Sequence, residues 1–178
     1  MWALVESNSI TKTFNRPKGF TLGDIQYPAS IFTLWSKAEK EAIGLYEVVQ
    51  DDSNLKDGVY YTNGAESITW DSSAKKVTKA FASATAKDLA PLKKEKKDQI
   101  NAEASGILSP TDWMVVREAE GGTAVPSDTK TKRAAVRTKA NAMCVQIDGA
   151  SDVDALAALY VYNDAETPVR PLGELPTV

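Results

Sequence analysis

The chain is predicted to be an α+β protein, with a β-rich amino-terminal module followed by a small carboxy-terminal helical unit and an extended proline-containing tail. Three observations lead there. Aromatic residues concentrate early: Trp2, Trp35, Trp70, all four phenylalanines and four of the six tyrosines lie before residue 82, in short runs separated by turn residues. After Ser83 the composition shifts to Ala, Lys, Glu and Asp, and Ile100, Ala104, Ile107 and Leu108 recur at the i, i+4, i+7, i+8 spacing of one helix face. Pro168, Pro171 and Pro176 then close the chain with a segment that cannot continue a helix or fill a central strand. The expected organisation is a β-rich module over 1–82, a helical unit over 83–166 and an extended tail over 167–178.

Within the first module, residues 2–6 and 9–14 flank Ser7-Asn8, which reads as a tight hairpin turn. Residues 20–27 are broken at Gly23-Asp24 and stopped by Pro28, so a meander is expected. Ser36 and Glu39 have capping-box spacing, in which a hydroxyl and a carboxylate reciprocally satisfy orphan backbone N–H groups; a short helix should start there and stop at Gly44. A strand resumes over 45–49. Residues 58–62 and 67–70 are expected to pair as a hairpin around Asn63-Gly64, and residues 71–76 to turn into a last strand over 77–81.

In the second half, one helix is expected over about 92–108 and a second after Ser109-Pro110, where serine and proline suit the first turn. Gly121-Gly122 ends it. The longest helix should open at Val125-Pro126-Ser127-Asp128, run to Asp148 and stop at Gly149, with Val136, Ala140, Met143 and Ile147 as its apolar face. Ser151-Asp152 caps a short helix through Leu159, after which residues 160–162 read as a strand.

The absence of histidine excludes imidazole acid–base chemistry, serine triads and most catalytic zinc sites. No cofactor or metal motif is present, and a carboxylate-only glycan depolymerase is the one enzyme class left open. A net charge of −3 gives no field for nucleic acid. No apolar stretch has the length of a signal h-region or a membrane span, so synthesis in a cytoplasm without membrane insertion is expected. The single cysteine, Cys144, has no internal disulfide partner and no activating imidazole, and reads as inert.

The lysine run Lys87, Lys93, Lys94, Lys96 and Lys97 is diluted by Asp88, Glu95 and Asp98 and reads as a solvated helix face. Trp35 and Trp70 are assigned to the core rather than to sugar stacking. Arg133 and Arg137 stand at i and i+4, placed either to clamp an anionic partner or to fix the helix against a carboxylate such as Asp112 or Glu118. In the tail, Leu172 and Leu175 are apolar. These four, Arg133, Arg137, Leu172 and Leu175, are the candidate partner-binding residues.

Two stretches resemble bacteriophage tail proteins. Tyr27-Pro28-Ala29-Ser30-Ile31-Phe32 through Trp35-Ser36-Lys37-Ala38-Glu39-Lys40-Glu41-Ala42-Ile43-Gly44-Leu45-Tyr46-Glu47-Val48 is similar to the amino-terminal module of small tail-fibre and tail-fibre-assembly proteins, including those of marine phages. The run from Ala104 through Leu108-Ser109-Pro110-Thr111-Asp112-Trp113 and Val116-Arg117 to Val125-Pro126, Arg133, Val136 and Arg137 is similar to their helical carboxy-terminal region. The resemblance implies a non-enzymatic component of the tail fibre or baseplate, located in the virion tail, whose partners are other tail or fibre proteins or further copies of itself. Its alternative is an assembly chaperone on the fibre's carboxy terminus. The resemblance brings no catalytic residue.

Overall fold

Ser7 and Asn8 both adopt positive φ, 49° and 64°, the backbone a two-residue hairpin turn demands, and so pair β1 (Trp2–Glu6) with β2 (Ser9–Phe14). A computed structural model describes all of residues 1–178 and shows an α+β chain. It divides into two compact units, Met1–Thr85 and Ala86–Val178.

In the first unit, β3 (Phe20–Leu22) and β4 (Ile25–Tyr27) form a separate hairpin turning at Gly23. A short α1 (Ile31–Leu34) precedes α2 (Lys37–Ala42), whose N-cap is the capping box expected at Ser36 and Glu39. The Ser36 hydroxyl and backbone hold the Glu39 carboxyl below its usual range. Gly44 then turns at φ 78°, and its carbonyl accepts from Val5 N at 2.8 Å. A Cβ there would lie 2.4 Å from the Val5 carbonyl oxygen, so glycine both ends the helix and lets β5 (Leu45–Asp51) reach β1.

The main sheet has the order β2-β1-β5-β8-β7, with β7 at Glu66–Asp71 and β8 at Lys76–Phe81. The first half of β5 runs antiparallel to β1 and its second half parallel to β8. This is not the meander expected from the turns alone. At the far edge, Trp70 Nε1 donates to Asn8 Oδ1 at 2.9 Å, drawing β7 toward the β1–β2 turn and curling the sheet into a half-barrel. Its core is Leu4, Phe14, Phe20, Ile31, Phe32 and Leu45, with Trp2, Tyr27 and Trp35 packed against it. Phe32 meets Trp2, Phe14 and Phe20 edge-on, at ring separations of 5.1, 5.3 and 6.1 Å.

The hairpin expected around Asn63-Gly64 does not form. The Asn63 side chain instead accepts from Lys56 N and donates to the Lys56 carbonyl, both at 2.9 Å, closing a loop back on itself. Only Tyr61–Thr62 is strand, labelled β6, and it pairs with β9 (Thr85–Ala86), while β7 pairs with β8 through the Asp71 turn.

The second unit consists of α3 (Leu89–Leu108), α4 (Asp112–Ala119), α5 (Ser127–Gly149) and α6 (Val153–Ala158), with a 3-10 turn over Ser109–Thr111. The sides of α3 and α5 that meet carry Leu92, Ile100 and Ala104 on one and Val136, Ala140, Met143 and Ile147 on the other, all buried. They run antiparallel: Lys97 in the first half of α3 pairs with Asp148 at the end of α5 at 2.7 Å, and Arg133 in the first half of α5 reaches the carbonyl of Leu108 at the end of α3. Lys93 also donates to the Asp148 carbonyl at 2.8 Å, a cation placed at the negative end of a helix. Asp152 caps α6 through Ala155 N at 2.8 Å. Residues 160–162 form no strand.

The proline-containing segment lies on its own unit. Leu172 is fully buried, its N–H bonds the Leu159 carbonyl at 3.1 Å, and its carbonyl accepts from Lys139 Nζ at 2.9 Å. Gly173, at φ 74°, turns the chain with its N–H on the Arg170 carbonyl.

Candidate functional site

The corner between α3 and α5 is set by one arginine. At the end of α3 the Leu108 carbonyl accepts from the Thr111 hydroxyl at 3.0 Å and from Arg133 Nη1 at 2.7 Å, and Arg133 Nη1 also donates to Thr111 Oγ1. Its Nη2 pairs with Asp112 Oδ1 at 2.6 Å. Arg133 is only 7% exposed, so its guanidinium is spent inside the unit and faces no partner. Of the two roles the sequence left open for it, the structure places it against the carboxylate Asp112.

Arg137, one turn further along α5, is exposed and makes no hydrogen bond or ion pair within the chain. The other two candidates lie elsewhere. Leu172 is in the core and is corrected from a partner-facing residue to a packing one, because burying a leucine on its own unit removes it from any external surface. Leu175 is half-buried.

A stronger surface feature lies on α4, which has no buried residue at all. Trp113, Val115 and Val116 are 55%, 43% and 55% exposed. Arg117 stacks over the Trp113 ring at 4.8 Å and donates to the Thr123 carbonyl at 3.1 Å, so the tryptophan is held in place while its other side stays open. Gly121, at φ 83°, ends the helix and returns the chain to Val125, which is buried. Lys130 of α5 then pairs with Glu118 of α4 at 2.6 Å, and this lysine holds the Glu118 carboxyl below its usual range. Between α4 and α5 lies a hollow of about 290 Å³ lined by Val115, Glu118, Val125, Lys130, Arg133 and Arg137. The sequence signal for this surface is the run Trp113-Met114-Val115-Val116, which is too apolar for a solvated helix.

Near the end of the chain Arg170 stacks between Tyr160 and Tyr162, at 5.5 and 5.6 Å, and pairs with Glu174 at 2.7 Å. Tyr162 donates to Glu174 Oε1 at 2.6 Å, and this hydroxyl, with Arg170, holds the Glu174 carboxyl low. An open hollow of about 490 Å³ adjoins this cluster. Burial pushes the Cys144 thiol up, away from thiolate chemistry, with Lys97 as only a partial counterweight. No three His, Cys, Asp or Glu side chains gather as a metal group, and no helix is long and apolar enough to cross a membrane.

No family model, curated protein or solved structure matches this chain.

Proposed function

We propose that this chain is a non-enzymatic bacteriophage tail component, a structural or adhesin-associated protein of the fibre or baseplate that holds a neighbouring tail protein through its helical unit. The observation that carries the protein-binding part is α4, an eight-residue helix with no buried side chain and three large apolar residues open to solvent. Leaving such a helix uncovered keeps apolar area in water at roughly 25 cal/mol per Å², and exposed patches of this kind mark interaction sites. The tail assignment rests on the two sequence stretches quoted above. Part of one of them, with Asp112, Trp113, Val116 and Arg117, falls on this surface.

The alternative within the same class is an assembly chaperone that binds the fibre's carboxy terminus and leaves before the virion is complete. Mass spectrometry of purified virions separates the two: stoichiometric recovery fits the structural part, and recovery only with fibre protein from infected-cell lysate fits the chaperone. Failure to find the chain with any tail protein in either sample overturns the proposal. A Trp113→Glu, Val116→Glu double variant should fold, because neither side chain is buried, and should lose the partner.

A further inference from the structure

We infer that the hollow between α4 and α5 captures the free carboxyl terminus of a partner chain whose last residue is apolar, with Arg137 as the carboxylate ligand; this deepens the partner-binding reading above and rests on it. Lys130, Arg133 and Arg137 stand at i, i+3 and i+7 and so share one face of α5. Two of the three are already neutralised, Lys130 by Glu118 and Arg133 by Asp112, each at 2.6 Å. Arg137 makes no ion pair, so its positive charge stays unmatched at this surface of a chain whose net charge is −3.

Arg137 also lines a second hollow of about 310 Å³, bordered by Asn101, Ser105, Leu108 and Asn141 and by Asp112, whose carboxylate is already paired with Arg133. Arg137 therefore stands where two hollows adjoin, one with Val115 and Val125 set among the paired charges of Glu118, Lys130 and Arg133, the other with the amides of Asn101 and Asn141. A terminal residue matches this junction because its carboxylate and its side chain leave the same Cα, so the acid reaches Arg137 while the side chain enters between the valines. An internal Asp or Glu has no apolar group beyond its carboxylate to place there. The amides of Asn101 and Asn141 are then available to the preceding backbone. At about 290 Å³ the hollow falls near the lower end of ligand-sized pockets, enough for one or two residues rather than a folded surface. Carboxyl-terminal capture of this kind is a recurring recognition mode, and a forked guanidinium suits a carboxylate bidentately.

The test follows backbone amide and arginine side-chain NMR signals of the full chain while N-acetyl-leucine is added, against N-acetyl-leucinamide and against acetate. Saturable shifts at Val115, Val125 and Arg137 with the acid, and none with the amide, are expected. Arg137→Gln should weaken the acid by roughly tenfold or more, whereas Lys132→Gln, an equal charge loss on the same helix, should not. Equal shifts with the amide, shifts with acetate alone as strong as those with the acid, or no shifts at all overturn the inference. If Arg137→Gln still co-purifies with the tail partner, carboxyl capture fails while the proposed function stands; if no tail partner exists for the unaltered chain, the functional reading itself fails.

Discussion

The two units solve the same problem by opposite routes. In the first, the core is assembled from residues far apart in sequence, with Phe32 of α1 meeting Trp2, Phe14 and Phe20 across three other elements. In the second, the core is mainly two regular stripes, one on α3 and one on α5, and the connections are short. The exposed apolar residues of the first unit, Ile25, Leu34, Val49, Leu55 and Val59, are scattered over strands, a helix end and loops, whereas Trp113, Val115 and Val116 of the second share one helix. Helices bury one stripe each, so an extra helix such as α4 keeps its apolar residues in solvent.

The contrast is broken most severely at the points where each core closes. Phe32→Ala should cost the first unit about 3–5 kcal/mol, and Leu172→Ala the second about 2–5 kcal/mol, both read as a fall in urea midpoint. If Leu172→Ala is neutral, the terminal segment does not belong to the helical core. Gly44→Ala should be comparably damaging, at about 3 kcal/mol, because it combines a positive φ with a contact to the Val5 carbonyl that no side chain tolerates.

A middle-sized test concerns Arg133. Replacing it with methionine keeps the apolar stem but removes a donor from the Leu108 carbonyl and from Thr111, and the partner of Asp112, and should cost about 1–3 kcal/mol without affecting N-acetyl-leucine binding at Arg137. Loss of binding with unchanged stability would return Arg133 to the partner-facing role first read from sequence.

Local signals sharpen the comparison, because they should weigh alike in both units. Ser36→Ala in the first and Asp152→Ala in the second each remove an N-cap and should each cost about 1 kcal/mol by thermal denaturation. A large disparity would mean that one cap also carries tertiary packing.

The smallest effect is with pH. The carboxyls of Glu118, Asp152 and Glu174 titrate below their usual range because of Lys130, the Ala155 N–H and the Tyr162 hydroxyl respectively. A lowered folded-state value stabilises the fold fully above the ordinary carboxylate range, and that contribution disappears as pH falls through the lowered values. The urea midpoint of the helical unit should therefore decline modestly between ~pH 5 and ~pH 2.5, and Glu118→Gln should make the decline shallower. A midpoint that rises on acidification would reverse the sign and refute the pairings.

Residues whose partners lie within a turn or two could be read from the chain itself. The Ser7-Asn8 hairpin, the Ser36–Glu39 capping box, the Gly44 stop and the α5 stripe of Val136, Ala140, Met143 and Ile147 all follow from local backbone chemistry or helical period. The same reasoning failed at Asn63-Gly64, where a favourable turn pair lost to a side chain that found Lys56 instead. Strand order was beyond it, since nothing local makes β5 choose β1 on one side and β8 on the other.

The candidate site divides the same way. That Arg133 and Arg137 share a face was fixed by their spacing, but only the tertiary structure decided that one is consumed by Leu108, Thr111 and Asp112 while the other stays free. Likewise the tail's prolines exclude helix and central strand from sequence alone, whereas the burial of Leu172 depends on Leu159 and Lys139, residues 13 and 33 positions away. The physical reason is common to both cases: sequence specifies a residue's conformational preferences and its near neighbours, and the desolvation that turns an arginine into a staple or a leucine into core comes from groups that only the fold brings near.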